Sequence, residues 1–270
     1  MPASGAVTRS TLRQQIADAL RDEVLAGRLQ PGEIFTVKQI AEGYGVSATP
    51  VREALVEMAA QGLLDSDQHR GFRVHQFSVD DYCAMVEARS LIVDGIFRRL
   101  ALRGVAGEPL LSVRRRAEEA VQAARTGSLE ILIGYDLRFW RELGALTGNR
   151  YIADFLHRLR VQCWVFAVPY LRDRAQPTEW LWRGHEKLVD AVTSGDGDLA
   201  HAVIEEYNAH AVRWAEQLRA TTGTAASSRD AQPDQEQQEQ QEQQQQQQQP
   251  SDCPLPDQPS GRRPADGAAR

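Results

Sequence analysis

The chain has 270 residues, of which 42% are hydrophobic and 25% charged, and its formal net charge at pH 7 is −6. This length accommodates two compact domains, and the mild acidity excludes a protein that coats nucleic acid over its whole surface. Because no stretch approaches the roughly 20 apolar residues of a membrane span, and the start MPASGAVTRS lacks an apolar signal core, we expect a cytoplasmic protein.

The first part of the chain predicts a packing helix followed by a short helix. The packing helix carries apolar residues on one face and stops at Gly27. Those apolar residues are Leu12, Ile16, Leu20 and Val24. The short helix starts at Thr36, whose hydroxyl and the Gln39 side chain suit a capping box, and it ends at Tyr44-Gly45.

A third helix begins within VSATP (46–50), where hydroxyls can cap exposed N–H groups and proline is tolerated in the first turn. Its expected buried stripe consists of Val51, Ala54, Leu55, Met58 and Ala59. Beyond it, Leu63 to Ser66 and Phe72 to His75 flank a polar connection that ends in Gly71, as a hairpin loop does. Two short helices joined by a glycine-containing turn and followed by this hairpin predict a winged helix-turn-helix.

Spacing alone leaves an ordinary helical hairpin open as an alternative. The residues themselves favour DNA binding, because the run PGEIFTVKQIAEGYGVSATPVREALVEMAAQGLLDSDQHRGFRV resembles the GntR family of regulators. In that family PG, an LA-like helix, SxTPVREAL, GL and RGFRV stand in the same order. The resemblance covers about Leu12 to Val74.

The resemblance also implies which residues meet DNA. They are Lys38 in the second helix, Ser47, Thr49, Pro50 and Arg52 at the start of the recognition helix, and His69, Arg70 and Gly71 in a wing that reaches the minor groove. Two alternatives stay open: Arg52 could form a salt bridge with Glu53 or Glu57, and Arg70 could be a solvated turn residue. Ala48 departs from the family, which usually places here an arginine able to bind guanine, so we expect a different base specificity.

From Ser78 onward, apolar residues recur at helical spacing and predict an all-helical bundle. Ser78 and Asp81 suit a capping box for a helix that runs to about Arg103. Arg89 lies inside the apolar stripe of that helix, which makes it a candidate anchor for an organic carboxylate. An internal ion pair is an equally open interpretation of Arg89.

Three further polar residues, Asp136, His185 and Tyr207, fall on apolar helix faces and suggest a polar cavity, although each alone could be a satisfied core residue. The segments MVEARSLIV, DLRFWRELGALTGN and GHEKLVDAVTSGD resemble the FCD ligand-binding domain over about Ser78 to Ala220. That domain implies the FadR subgroup of the GntR family, and its compactness favours the VanR-like branch.

The FCD resemblance implies a divalent metal held by an Asp, a His four residues on, and two later His. Asp136 and His185 match this set, whereas Trp140 and Tyr207 replace the other two ligands, so we expect no metal and no other cofactor. The expected ligand is a small carboxylic acid or an aromatic metabolite, bound by Arg89, Asp136, His185 and Tyr207 with Trp140 as an apolar wall. The family further implies a homodimer on palindromic operator DNA, acting as a repressor that the effector releases.

The sequence thus predicts a mainly α protein: a winged helix-turn-helix at 1–77, an all-helical ligand-binding and dimerisation domain at 78–220, and a Gln-rich tail at 221–270. The tail, which includes QEQQEQQQQQQQP, has almost no apolar residues and is expected to be disordered. One rival interpretation is an enzyme, metal-dependent or not, with Asp136 and His185 as acid and base, but no catalytic motif accompanies them. Another is a scaffold that assembles through the tail.

Overall fold

The structure is a computed structural model that describes residues 12–67, 70–105, 107–126, 128–172 and 180–230. The N-terminal elements are α1 (Leu12–Leu25), β1 (Ile34–Phe35), α2 (Val37–Tyr44), α3 (Ala48–Ala60), β2 (Leu64–Asp67) and β3 (Gly71–Val74). The helices that follow are α4 (Val79–Arg103), α5 (Glu108–Thr126), α6 (Leu129–Ala145), α7 (Arg150–Arg172), α8 (His185–Ser194) and α9 (Gly197–Asp230). This mainly helical architecture, with a winged helix-turn-helix first, is the predicted fold class.

The wing is an antiparallel sheet in the order β1-β3-β2, with Ile34 opposite Arg73 and Leu64 opposite Val74. The predicted hairpin corresponds to β2 and β3. Sequence analysis missed β1, because a strand of two residues is too short to show an alternating pattern.

Side-chain caps fix the starts of two helices as predicted. Thr36 and Gln39 form a reciprocal capping box at α2, and Ser78 and Asp81 form another at α4. The short α2 ends at Gly45 in the left-handed conformation (φ 63°), which lets the chain turn directly into α3. Leu12, expected in the buried stripe of α1, is 49% exposed and is the first residue of that helix.

The core of the winged helix extends into the helical domain. Buried side chains of α1, α3 and the sheet pack with Ile133 of α6 and with three valines of α7. Those valines are Val161, Val165 and Val168. The Gln162 side chain on the same helix donates a hydrogen bond from Nε2 to the carbonyl of Gln61, at 2.8 Å. Helix α7 is therefore part of both modules.

The last described helix, α9, continues to Asp230, past the predicted domain boundary at Ala220. The remainder of the predicted Gln-rich tail lies outside the described residues, and the boundaries at 77 and 220 stay predictions. Within the described ranges, no helix is both long enough and apolar enough to cross a membrane.

Candidate DNA-binding face and effector cavity

The start of α3 presents hydroxyl and backbone N–H groups to solvent. Ser47 is the N-cap residue in an extended conformation (φ −72°, ψ 156°), yet its side chain makes no capping hydrogen bond. Ser47, Thr49 and Arg52 are exposed, and Pro50 is half-buried. Unpaired N–H groups and the positive end of the helix dipole make such a helix start attractive to phosphate.

Arg52 is available to an external anion. Within the part of the chain that the structure describes, Arg52 makes no ion pair, and Glu57 instead lies beside Arg13, with 3.4 Å between Arg13 Nε and Glu57 Oε2. The salt bridge considered as an alternative for Arg52 does not form among these residues. Lys38 is 81% exposed and makes only a long surface contact, 3.7 Å from its Nζ to Glu42 Oε1.

The wing residues have mixed roles. Arg70 is exposed, and its backbone N–H donates to Asp67 Oδ1 at 3.2 Å. Gly71 has a positive φ of 108°, and a Cβ at this position would lie 2.5 Å from the carbonyl oxygen of Phe35. Glycine is therefore required here by the close approach of β1, whatever it contributes to DNA binding. His69 lies outside the described residues.

A cavity of about 90 Å³ lies inside the helical domain. The polar side chains that line it are Arg89, Asp136, Arg160, His185, Tyr207 and His210. The larger aromatic walls are Tyr82, Trp164, Trp180, Trp182 and Trp214. The structure thus brings together the four polar residues predicted for the effector site, although they come from four different helices. Trp140, expected as an apolar wall, lies behind the lining instead of in it.

Asp136 is a buried carboxylate held by several donors. Trp140 donates to Oδ1 at 2.9 Å and Trp164 donates to Oδ2 at 2.8 Å, while His185 Nε2 lies 3.0 Å from Oδ1. Burial by itself raises the pKa of Asp136, but the hydrogen bond from His185 and the charge of Arg160 together hold this pKa below its ordinary value. Asp136 is therefore ionised in the folded protein.

Two buried guanidinium groups converge on one hydroxyl. Arg89 and Arg160, which are 2% and 3% exposed, donate to the Tyr207 hydroxyl at 2.6 and 2.5 Å. Arg89 stacks over the Tyr207 ring at 4.1 Å, and Arg160 stacks over the Trp140 ring at 4.0 Å. Arg160 lies 3.9 Å from Asp136 Oδ2, whereas Arg89 makes no ion pair with any described residue. Among the described residues of the cavity lining, the two guanidinium cations thus outnumber the one carboxylate.

Several buried nitrogen atoms of the lining residues have no hydrogen-bond partner in the part of the chain that the structure describes. They are Arg89 Nε, Trp182 Nε1, Trp214 Nε1 and His185 Nδ1. The arginine and tryptophan atoms are N–H donors only, and the role of the His185 atom depends on its tautomer. An unpaired buried donor costs about 1–3 kcal/mol, so an acceptor oxygen that reached one of these N–H groups would be stabilising.

This donor set does not fit a divalent metal. The Trp140 indole has no lone pair in its ring plane, and it donates its N–H to Asp136. The Tyr207 hydroxyl already accepts hydrogen bonds from two arginines. Both oxygens of Asp136 are hydrogen-bonded to N–H groups. The guanidinium of Arg160 supplies positive charge between Asp136, Trp140 and Tyr207, where a second cation would be repelled.

Sequence reasoning missed Arg160, although a signal was present. Leu156, Arg160, Cys163 and Ala167 recur at helical spacing, and the three apolar members of this set are buried. The argument that singled out Arg89, a charge within an apolar stripe, applies equally to Arg160.

The winged helix with its exposed helix start, followed by a helical domain, defines the class of winged-helix DNA-binding proteins. A family model of the bacterial regulatory proteins of the gntR family matches residues 12–74, and a model of the FCD domain matches residues 84–210. The chain belongs to the GntR family, in its FadR-like subfamily with an FCD domain. It is a DNA-binding transcriptional regulator, and this family is not one of enzymes, so the enzyme interpretation is set aside.

Individual relatives agree with this assignment. A probable D-xylose utilization operon transcriptional repressor from Paenarthrobacter nicotinovorans is 31% identical over 205 residues, covering 76% of this chain and 89% of the relative. The transcriptional repressor RspR from Escherichia coli K12 is 24% identical over 197 residues, covering 73% and 85%. The solved structure of E. coli McbR/YncC has a TM-score of 0.68 at 21% identity, covering 77% of this chain and 99% of that one. The last likeness concerns the fold alone.

Proposed function

We propose that the chain is a homodimeric repressor that releases operator DNA when a small organic carboxylate occupies the helical cavity. One observation carries the ligand class: two buried guanidinium groups line a cavity to which the described residues contribute a single carboxylate. A carboxylate ligand would supply negative charge to these guanidinium groups, and its oxygens would accept hydrogen bonds from them. Two relatives are named as transcriptional repressors, which supports repression over activation as the action of this chain on its operator.

The size and charge of the cavity favour some ligands over others. At about 90 Å³ it is smaller than the roughly 150 Å³ cavity that admits benzene, so a short aliphatic acid is favoured over an aromatic one. One relative is named for D-xylose utilization. A neutral sugar in this cavity would leave the excess positive charge buried and uncompensated, which is costly.

On the DNA side, we propose that Ser47, Thr49 and the N–H groups of α3 bind phosphate while Arg52 reaches the bases or the backbone. Their exposure and the absence of a described ion pair at Arg52 support this assignment. By their positions in the family motif, five more residues complete the proposed set of DNA contacts: Lys38, Pro50, Arg70, Gly71 and His69.

The compact helical domain supports the VanR-like branch of the subfamily. A regulator of chromosomal DNA acts in the cytoplasm, which is the compartment we propose for this chain.

The coupling between ligand and DNA is proposed to pass through α7. One face of this helix contributes Arg160, Cys163 and Trp164 to the cavity, while the neighbouring Val161 and Val165 pack in the core of the winged helix. A ligand that moves Arg160 thereby shifts a helix on which the DNA-binding module rests. The effector changes DNA affinity only as far as it binds the two arrangements differently.

The test is a binding screen on the full chain. Tryptophan fluorescence and calorimetry would follow titration with acetate, lactate, malonate, benzoate and D-xylose, because four tryptophans line the cavity. We expect short carboxylates to bind and to lower operator affinity, and Arg89→Ala to weaken that binding at least tenfold. Arg115→Ala, which changes an exposed arginine of α5, is the matched control. Binding of D-xylose alone, or equal carboxylate affinity in all the variants, would contradict the proposed ligand class.

A further inference from the structure

The four positions at which the FCD resemblance implies metal ligands lie together beside the cavity. His185 Nε2 is 3.0 Å from Asp136 Oδ1, and the Trp140 indole N–H donates to the same oxygen at 2.9 Å. The centroid of the Trp140 ring is 5.1 Å from that of the Tyr207 ring. Helix packing therefore brings the four positions to one centre, although two of the four side chains are not the implied histidines.

A guanidinium group lies at this centre. Arg160 of α7 lies over the Trp140 ring at 4.0 Å and donates to the Tyr207 hydroxyl at 2.5 Å. It also lies 3.9 Å from Asp136 Oδ2. A ring face and a hydroxyl oxygen suit a planar, weakly hydrated cation, whereas an indole offers no lone pair to a metal ion. Trp140 and Tyr207 are therefore partners for an arginine in the places where a metal ion would need histidines.

We infer that Arg160 takes the place of the metal ion in this chain, so that the cavity binds its ligand through arginine and without a metal. The charges agree with this replacement. A divalent ion on one carboxylate leaves one positive charge. The guanidinium groups of Arg89 and Arg160 leave the same surplus over Asp136, the one carboxylate among the described lining residues.

Arg160 also keeps binding capacity for a ligand. A guanidinium has several N–H donors, and among the described residues Arg160 donates one hydrogen bond, to Tyr207. Its remaining donors can bind ligand oxygens, much as a metal ion binds them at an open coordination position. The role of Arg160 in ligand binding rests on the proposed function, whereas its replacement of the metal ion does not.

The described part of the chain offers no alternative ligand set for a metal ion. His210 lines the same cavity, three residues past Tyr207. Within the described ranges, however, no three His, Cys, Asp or Glu side chains are placed to share one ion. Asp136 and His185 are then two ligands, and a closed zinc site takes four.

Metal titration of the untagged full chain tests the inference. Calorimetry and thermal unfolding are recorded with Zn²⁺, Ni²⁺ and Mn²⁺, and after dialysis against EDTA. We expect the melting temperature of the wild-type chain to stay the same in all these conditions, because Arg160 already neutralises Asp136. Tight binding of one ion per chain that Asp136→Asn abolishes overturns the inference.

A rebuilt metal site separates the effect of the arginine from that of the replaced histidines. The double variant Trp140→His, Tyr207→His supplies the implied ligands and retains Arg160, and the triple variant adds Arg160→Leu. We expect the triple variant to bind Zn²⁺ at least tenfold more tightly than the double variant, because a guanidinium beside the ligands repels a second cation. Circular dichroism checks the helices of each variant. Equal Zn²⁺ affinities of the two folded variants overturn the role of Arg160.

Ligand binding gives a second measurement that needs no rebuilt site. With malonate and lactate as probes, we expect Arg160→Gln to weaken binding at least tenfold, Arg160→Lys to weaken it less, and EDTA to leave the wild-type affinity unchanged. Arg115→Gln, on the exposed face of α5, is the matched control. A wild-type affinity that falls in EDTA, or equal affinities of Arg160→Gln and Arg115→Gln, overturns the inference. If neither probe nor any other carboxylate binds the wild-type chain, the proposed function fails, and the metal titrations still decide whether Arg160 replaces the ion.

Discussion

Arginine side chains have two opposite surroundings in this protein, and these surroundings decide which partner each charge can reach. Arg52 is exposed at the start of α3 and makes no ion pair among the described residues, so its charge is available to DNA. Arg160 is 3% exposed and lies between Asp136, Trp140 and Tyr207, so its charge is confined to the cavity. In the proposed function, the same functional group therefore serves DNA in one place and a small anion in the other.

We predict that Arg52→Ala weakens operator binding by about 1–3 kcal/mol, as expected for loss of one specific contact. Fluorescence anisotropy at several salt concentrations measures both the affinity and its salt dependence. If Arg52 binds phosphate alone, the slope of log K against log salt should fall by about 0.9 while sequence preference stays. Arg115→Ala is the control on an exposed helix face, and equal affinities of the two variants would exclude a DNA contact by Arg52.

We predict that Asp136→Ala destabilises the fold by about 3–5 kcal/mol, because it leaves Arg160 buried without its carboxylate and removes an acceptor from two indoles and His185. Urea unfolding, followed by circular dichroism, measures the free energy of unfolding. Asp190→Ala is the control: Asp190 pairs with Arg114 at 2.8 Å on the surface, and its loss should cost about 0–1 kcal/mol. Similar losses in the two variants would mean that the buried network contributes little to stability.

Among the elements, α7 connects the cavity to the winged helix. Its periodicity from the sequence identifies a long amphipathic helix but does not say that different faces meet different modules. The sequence-based domain boundary at 77 separates α7 from α1 and α3, whereas the structure packs its valines into their core. Contacts between residues far apart in the chain have no local sequence signal, which is why this shared core was not predicted.

We predict that Gln162→Ala reduces the effect of the ligand on DNA affinity, because it removes the hydrogen bond from α7 to the Gln61 carbonyl at the end of α3. A coupling loss of about 0.5–2 kcal/mol corresponds to a several-fold smaller ratio of DNA affinities with and without ligand. Anisotropy titrations with and without the carboxylate found in the screen give this ratio. Gln122→Ala, on the exposed face of α5, is the control, and an unchanged ratio would show that the coupling bypasses this contact.

At the scale of the whole molecule, the junction of the two modules contains a histidine that resists protonation. His157 on α7 lies in a cleft with Arg21 and Asp18 of α1, and Arg141 of α6 donates to its Nε2 at 2.7 Å. Burial first, and then the charges of Arg141 and Arg21, lower the pKa of His157 to about 4 from its ordinary value of 6.5. The folded protein therefore holds a neutral imidazole where the unfolded chain would bind a proton.

We predict that the protein loses stability between pH 6.5 and pH 4. Since the folded pKa of His157 is depressed, the unfolded chain binds more protons in this window, and the contribution of His157 is complete only above it. Asp136, whose pKa is also depressed, loses its contribution only at lower pH, below the ordinary carboxyl value of 3.8. Urea unfolding of wild type and His157→Gln at pH 7 and pH 5 measures the effect. A wild-type pH dependence as shallow as that of the variant would exclude His157 as its source.

The sequence by itself determined the elements whose signals are local. Capping residues placed the starts of α2 and α4, helical spacing gave the buried stripe of α3 except for the half-buried Ala59, and the order of motifs gave the family. The cavity also followed in outline, because Arg89, Asp136, His185 and Tyr207 each interrupt an apolar face, and a buried polar group needs a partner. These inferences depend on neighbours within a few residues, which the sequence displays directly.

Only the tertiary structure decided how these groups meet. It showed that Arg160 joins Arg89 at Tyr207, that Trp140 donates its N–H to Asp136, and that some lining residues hold donor atoms with no described partner. Charge balance and donor pairing depend on distances between side chains of different helices, and helix packing fixes those distances.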